Sequence, residues 1–459
     1  MRLAGNWKLK VFVPQLEAVA HSDSTPGPLR AAALDALRDI GGSEALAALE
    51  KLSASDQPAI RRDAVTRLAV LDIEKASQPA VVVLTNTMSD KEAADLWRSL
   101  LTVKNAGPTL AHALPKTGLP PAMAKAGLQV AREGSRNEPD LVWALTRGAN
   151  LEAESQTLSA DELKALAASA MKQGDPARGE KIFRRVDLAC INCHAVGGVG
   201  GKVGPDLTSI GASAQPDYLV ESVLYPNRKI KEGYHAVSVE TKDNLEYTGV
   251  LVSENQEQLI LRDASGKETI VAKKNIENRT TGGSLMPSGL VDGLGAAERL
   301  DLYRFLAELG KPGPYDASKG TVARSWRLLV QTLDLAQFGD DKVLKIDLGD
   351  KQWTPANSLV DGDLLRGELD GAMEKLKSRD PSAIFAAAKF EVSKNGPVNL
   401  KLVGPKTYSA WLDGKLVASS ALSAAALTPG THTFVAKLDA KNFPDSLRLE
   451  SPDVTFLNN

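Results

Sequence analysis

The sequence predicts a multidomain chain in three successive parts. An all-α helical-repeat domain covers 1–157, a second α domain with a small antiparallel β insert covers 158–315, and a β-sandwich-like C-terminal domain covers 316–459. Three observations predict this order. Alanine and leucine recur at helical spacing through the first third, and one such segment repeats 31 residues on. Between about 234 and 281 the apolar period drops to two, then becomes helical again at 296–309. Short apolar runs between turn signals fill the C-terminal part.

In the first part, "PLRAAALDALRDIGG" begins at Pro28 and "PAIRRDAVTRLAVLD" at Pro58. The shift places Leu29 on Ile60, Arg30 on Arg61, Ala33 on Ala64, Leu34 on Val65 and Leu37 on Leu68. Weaker echoes follow at "KEAADLWRSLL" from Lys91 and "PAMAKAGLQVA" from Pro121. A helical unit recurring at this length predicts a stacked solenoid. The units resemble short HEAT-like repeats.

The second part opens on punctuation. Ser159 and Glu162 form a capping-box pattern, Gly174 can end that helix, and Asp175-Pro176 starts the next. "PARGEKIFRRV" then runs toward the cysteines. "YHAVSVET", "EYTGVLVSE", "QLILRDA" and "ETIVAKKN" read as four strands, and "AAERLDLYRFLAEL" as a closing helix from Ala296 to Leu309. Gly310, Pro312, Gly313 and Pro314 make a linker. Beyond it, "AIFAAAKFEV", "PVNLKLVG", "YSAWLDGKLV", "THTFVAKL" and "SLRLES" read as strands of a sandwich.

Composition narrows the function. With 43% hydrophobic and 24% charged residues the chain is globular, and a net charge of −2 points to no general nucleic-acid partner. No run of about eighteen apolar residues occurs, so no transmembrane segment is expected. The N-terminus lacks the apolar core of a signal peptide. The chain holds 2 cysteines, and both lie in "LACINCHAVG".

The spacing C-x-x-C-H has a chemical reason. Two thiols one helical turn apart can add to the vinyl groups on one edge of a haem, and the next histidine can then ligate the iron. Cys190, Cys193 and His194 fit that assignment. A thioredoxin-like redox pair competes but lacks a surrounding βαβ pattern, and a zinc site competes but lacks further cysteines. Met286, in "GGSLMPSGL" before the closing helix, is the candidate second axial ligand; its soft thioether suits electron transfer. His235 is the rival, and it sits inside an alternating strand pattern.

"GEKIFRRVDLACINCHAVGGVGGKVGPDLTSIG" followed by "SLMPSGLVDGLGAAERLDLYRFLAELG" resembles a class I c-type cytochrome. More narrowly it is similar to the planctomycete/verrucomicrobial-type haem-binding domain, which HEAT-like repeats often precede. The similarity covers about a third of the chain, Asp175 to Gly310. It implies a cytochrome c-like α domain and one covalent haem c, with Cys190 and Cys193 holding the porphyrin, His194 proximal and Met286 distal. It further implies that the Pro205 carbonyl accepts the imidazole's other N–H. Gly179 and Phe183 would cross the closing helix at Tyr303 and Leu306. The four-strand block departs from the simplest cytochrome, and it would position the methionine loop and cover one haem face.

The resemblance implies a periplasmic or exported protein, here as a mature form or a piece of a longer one. It implies single-electron transfer from a dehydrogenase, in some relatives sugar-oxidising, to an acceptor protein. A haem enzyme or sensor with a displaceable axial ligand is the second reading. A scaffold with an accessory haem is the third. For that one, the C-terminal sandwich with Trp411 in "WLDG" resembles carbohydrate-binding sandwiches, which would make a carbohydrate a partner, although core packing of Trp411 on an alternating strand is the favoured expectation. Asp187 and Asp206 are expected to be helix-end and turn residues rather than catalysts.

Overall fold

The fold is that of a computed structural model describing residues 1–86, 89–133, 138–151, 157–185, 188, 190–331, 339–375, 383–439 and 442–458. Helices come first and several antiparallel sheets dominate the C-terminal part, as the sequence predicts. The chain forms two compact units. One joins Met1–Glu162 to Glu221–Leu294, and the other joins Leu163–Val220 to Gly295–Asn459. The strand block is thus grouped with the N-terminal helices, and the cysteine segment with the C-terminal domain.

The first unit begins with α1 (Arg2–Asn6), α2 (Val13–His21), α3 (Gly27–Ile40), α4 (Gly42–Ser53) and α5 (Pro58–Leu71). It continues with α6 (Ile73–Thr85), α7 (Asp90–Leu100), α8 (Ala106–Ala113), α9 (Pro121–Ala131) and α10 (Pro139–Gly148). Each helix from α2 to α8 packs on its next-but-one neighbour, α2 on α4 through to α8 on α10, which is a two-layer stack around one core.

The 31-residue echo has a physical basis here. Ala33, Leu34 and Leu37 of α3 and Ala64, Val65 and Leu68 of α5 are all 0% exposed. Both arginines tie down the loop before their helix: Arg30 donates to Ser22 O at 3.1 Å and Arg61 to Ser55 O at 2.9 Å. The equivalence fails at one position, because Leu29 is 45% exposed and Ile60 is 0%. Trp97 anchors the middle of the stack, fully buried, with its indole N–H donated to Met123 O at 3.2 Å.

Five strands follow in this unit, β1 (His235–Thr241), β2 (Glu246–Glu254), β3 (Gln258–Arg262), β4 (Glu268–Ala272) and β5 (Ile276–Ser284). They form one antiparallel sheet in the order β4-β3-β2-β1-β5. Four strands were expected; β5 is the addition. Its "IENRTTGGS" is polar and exposed along most of its length, so no apolar alternation betrays it. The sheet docks on the helical stack through backbone. Glu246 N–H donates to Thr102 O at 2.6 Å, Lys104 N–H to Asn244 O at 3.1 Å, and Lys104 pairs with Glu240 at 3.0 Å.

The second unit carries α11 (Ala160–Gln173) from Leu163 on, α12 (Pro176–Phe183), α13 (Cys190–Cys193), α14 (Ile210–Ser213), α15 (Pro216–Leu224) as far as Val220, and α16 (Ala296–Glu308). The remainder is β-rich: β6 (Ser325–Gln331), β7 (Thr354–Asn357), β8 (Leu364–Leu365), β9 (Ala383–Val392), β10 (Gly396–Val398), β11 (Lys401–Val403), β12 (Ser409–Leu412), β13 (Lys415–Val417), β14 (Ala425–Leu427), β15 (Gly430–Asp439), β16 (Ser446–Glu450) and β17 (Thr455–Phe456). The main sheet runs β13-β12-β15-β9-β6-β7, with β17 also on β9, and β11-β16-β8 forms a second.

The two sheets share a core in which Phe390, Phe434 and Ile384 meet Leu364, Leu447 and Leu449. The main sheet buries its other face as well, through Leu329, Phe385, Trp411 and Val435 against Val343 and Trp353. Trp411 is 6% exposed, its ring centroid 6.1 Å from that of Phe385. The aromatic that suggested carbohydrate binding is therefore a core residue, as its place on an alternating strand predicts. Among the described residues no helix is long and apolar enough to cross a membrane.

Candidate cofactor site around Cys190, Cys193 and His194

The helices that frame the cysteines start where the sequence says they should. The Ser159 hydroxyl accepts the Glu162 N–H at 3.3 Å, and Glu162 accepts the Ser159 N–H at 2.7 Å. At α12 the Asp175 carboxylate accepts the N–H groups of Ala177 at 2.8 Å and Arg178 at 3.1 Å. Both caps satisfy backbone donors that a helix start leaves open.

Helix α12 crosses α16 at Gly179. A Cβ there would run into the Asp301 backbone and stand 2.7 Å from Phe305 Cβ, so only glycine permits this approach. Phe183, one turn on, meets the Phe305 ring at 5.5 Å, and Phe305 meets Tyr315 edge-on at 5.7 Å. The expected partners Tyr303 and Leu306 are buried too, at 1% and 6%, but the residues facing Gly179 and Phe183 are Asp301 and Phe305. Spacing on one helix cannot choose between adjacent positions of a strip that is buried at Asp301, Leu302, Tyr303, Phe305, Leu306 and Ala307 alike.

One carboxylate locks this crossing, and a second pairs with Arg184 at the end of α12. Asp301 takes two bonds from the Arg178 guanidinium, at 2.7 and 2.9 Å, and a third from Asp175 N–H at 2.7 Å. The Arg178 guanidinium holds the Asp301 carboxyl below its ordinary value. Glu180, 2% exposed, accepts from Arg184 at 2.8 Å; burial nevertheless holds its carboxyl above the usual range.

The cysteines occupy the single turn of α13, both half-buried, and His194 N–H continues the turn by donating to Cys190 O at 2.9 Å. The following chain folds back along that turn. Gly201 N–H donates to Ile191 O at 2.9 Å, Gly204 N–H to Cys193 O at 2.8 Å and Leu207 N–H to Ala195 O at 2.8 Å. Gly200, at φ 122°, makes the reversal in a conformation that favours glycine. Thr208 closes the loop from outside, its hydroxyl accepting the Gly197 N–H at 2.8 Å.

This fold-back puts Pro205 O 2.8 Å from His194 Nδ1. A carbonyl oxygen only accepts, so Nδ1 carries the proton and Nε2 keeps its lone pair. Burial lowers the imidazole's basicity, with the Pro205 carbonyl and Asp206 acting the other way. Gly204 gives the ring its room: a Cβ there would lie 2.5 Å from Cε1, 2.7 Å from Nδ1 and 2.9 Å from Nε2. Asp206 is a turn residue whose carboxylate accepts the Thr208 N–H at 2.7 Å, and Asp187 lies outside the described residues.

Cys190, Cys193, His194 and Pro205 therefore come together in the second unit. Met286 belongs to the first, half-buried in the loop after β5, where its N–H donates to the Ser284 hydroxyl at 3.1 Å. His235 begins β1 directly opposite Ser284 and is exposed. Sequence reasoning missed Gly204, although the quoted "VGPDL" contains it. Among the described residues no three His, Cys, Asp or Glu side chains converge to hold a bare metal ion.

Chemically, two thiols one turn apart, followed at once by an imidazole with one nitrogen restrained and the other open, fit a flat group bound by thioethers at one edge and by nitrogen at its metal. Compared with models of known protein families and with curated proteins, the chain matches none.

Proposed function

We propose that this chain is a mono-haem c-type cytochrome that passes single electrons from a dehydrogenase to an acceptor protein in the periplasm or another exported setting. The observation that carries the reading is the His194 imidazole, held through Nδ1 by Pro205 O at 2.8 Å so that Nε2 is the nitrogen left to ligate. Cys190 and Cys193 would hold the haem by thioethers. Met286 would supply a sulfur ligand to the iron. When bound, the haem supplies reversible one-electron exchange at iron.

The chain's own residues orient rather than react. Pro205 fixes the imidazole tautomer and makes the ring a better donor through Nε2. Gly204 lets the ring lie against backbone. The Gly179 crossing and the Arg178–Asp301 pair hold α12 and α16 to one another, and Glu180 ties α12 to Arg184 and to Val360.

The test is expression with a cytochrome c maturation system, followed by a haem-stained denaturing gel and a reduced-minus-oxidised spectrum. A stained band at 48.8 kDa that survives denaturation, and disappears in the Cys190→Ala/Cys193→Ala double variant, is the expected result. Matured protein that carries no covalent haem would refute the proposal.

A further inference from the structure

The loop that follows His194 is backed by the C-terminal domain of the same unit. Arg324, the residue before β6, is only 7% exposed. Its Nε–H donates to Val360 O at 2.8 Å and its Nη1 to Lys319 O at 3.1 Å. Its aliphatic stem lies on the loop: a Cβ built on Gly197 would stand 2.9 Å from Arg324 Cδ and 3.1 Å from Ala317 Cβ. The neighbouring Gly198 faces the Asn458 side chain in the same way.

Val360 acts twice. Its carbonyl receives Arg324, and its N–H donates to Glu180 Oε1 at 2.9 Å. Arg184, paired with Glu180, reaches Ser358 O at 2.9 Å. One residue of the C-terminal domain thus links α12, which precedes the cysteines, to the arginine that lies on the loop after His194. Taking a guanidinium out of water is unfavourable unless good bonds compensate for it. A hydrocarbon residue would cover Gly197 without that cost. What arginine adds is a planar fork reaching two carbonyls from different segments, which lysine cannot reproduce.

We propose that Arg324 is a positioning residue for the Cys190–His194 turn: anchored on Val360 and Lys319, it fixes the Gly197–Val199 loop from the C-terminal side, and through it the β domain sets the mobility of the histidine loop, while its positive charge raises the potential of the group held there. The mobility half stands on the polypeptide alone; the potential half rests on the haem reading above.

The experiment uses the full chain. Hydrogen exchange of peptides spanning 194–208 is compared, without haem, in wild type, R324Q, R324K and N458A. R324Q is expected to speed exchange of the Val199 and Gly204 amides about tenfold, R324K nearly as much, and N458A less. Unchanged exchange of β9 and β15 shows that the sheet remains folded. If R324Q disrupts the sheet, N458A and R324K carry the test. Wild-type exchange in every variant that keeps its sheet overturns the proposal. In matured protein R324Q should lower the midpoint potential, since losing a positive charge favours ferric iron, while R324K should stay near wild type. A midpoint unmoved by R324Q refutes the electrostatic half. A wild-type chain that takes no haem sinks the function reading instead, and the exchange data still judge Arg324.

Discussion

Replacing Gly204 with alanine is the sharpest perturbation of the candidate site. The methyl group would be placed 2.5 Å from Cε1 and 2.7 Å from Nδ1 of His194, inside the contact distance of any carbon. Gly204 N–H is pinned to Cys193 O at 2.8 Å, so the backbone has little freedom to retreat and the ring must turn. Turning it breaks the bond to Pro205 O, a loss of about 0.5–1.5 kcal/mol. Overpacking of this kind costs ~1–3 kcal/mol where the surroundings cannot yield.

Selective 15N-histidine labelling reads the consequence directly, because protonated and lone-pair ring nitrogens resonate far apart and the chain contains only 5 histidines. Wild type should show His194 as a single Nδ1–H tautomer, and G204A a mixture or the opposite form. Chemical denaturation should show G204A weaker by ~1–3 kcal/mol. G293A is the control, because nothing lies within 4 Å of the position its methyl would take; a surface change of this kind stays within about 0.5 kcal/mol. A G204A protein with the wild-type tautomer and wild-type stability would refute the placement of the loop on the ring.

Three further outcomes follow from the same structure. In matured protein, M286A should abolish the weak charge-transfer absorption of sulfur-ligated ferric iron; a spectrum unaltered by the change removes Met286 as the ligand. His432 donates Nδ1–H to Asp413 at 2.7 Å and Nε2–H to Thr428 O at 2.7 Å, and two acceptors require the doubly protonated ring. Burial pulls its affinity for the proton down, but Asp413 and Thr428 together outweigh it and the net shift is upward. The stabilisation is therefore complete below the unfolded value of about 6.5 and is lost as pH rises through the folded one, so the C-terminal domain should weaken as pH rises past that unfolded value and D413N should flatten the slope; identical pH profiles would overturn it. Asp301 is the converse case: its carboxyl is held low by Arg178, so its contribution is present above the unfolded value of about 4 and lost as pH falls through the folded one, and D301N should remove that acid-limb slope from the denaturation profile.

What was legible in the sequence was whatever depends on near neighbours. Ser159 and Asp175 announce their helices because a cap acts within three residues. The echo of α3 in α5 was legible because buried positions repeat with the turn of a helix. The bond from His194 to Pro205 was legible through resemblance, as it spans only 11 residues within one continuous motif. The exposed edge strand β5 was not legible, since nothing packs on most of its residues to demand apolar side chains. The choice of Phe305 over Tyr303, and the bridge from Glu180 to Val360 across 180 residues, depend on how distant segments meet, which no local pattern encodes.

On the proposed haem reading, the manner in which His194 is held bears on the chemistry to expect. A sensor or haem enzyme works by letting a ligand leave or swing, and so needs slack near the iron. An electron carrier gains from the reverse, because every atom that shifts between the two redox states adds to the barrier for transfer. Here the imidazole is restrained at Nδ1 by Pro205 O, faced by the Gly204 backbone, and carried on a turn that three backbone hydrogen bonds, from Gly201, Gly204 and Leu207, tie to the returning loop. Slack on the proximal side is small, which favours the carrier. Displaceable chemistry would then have to involve the ligand that Met286 would supply, and the discriminating measurement is cyanide or carbon monoxide binding to wild type beside M286A. Binding only after Met286 is removed fits electron transfer; tight binding to the untouched wild type would favour the sensor or enzyme.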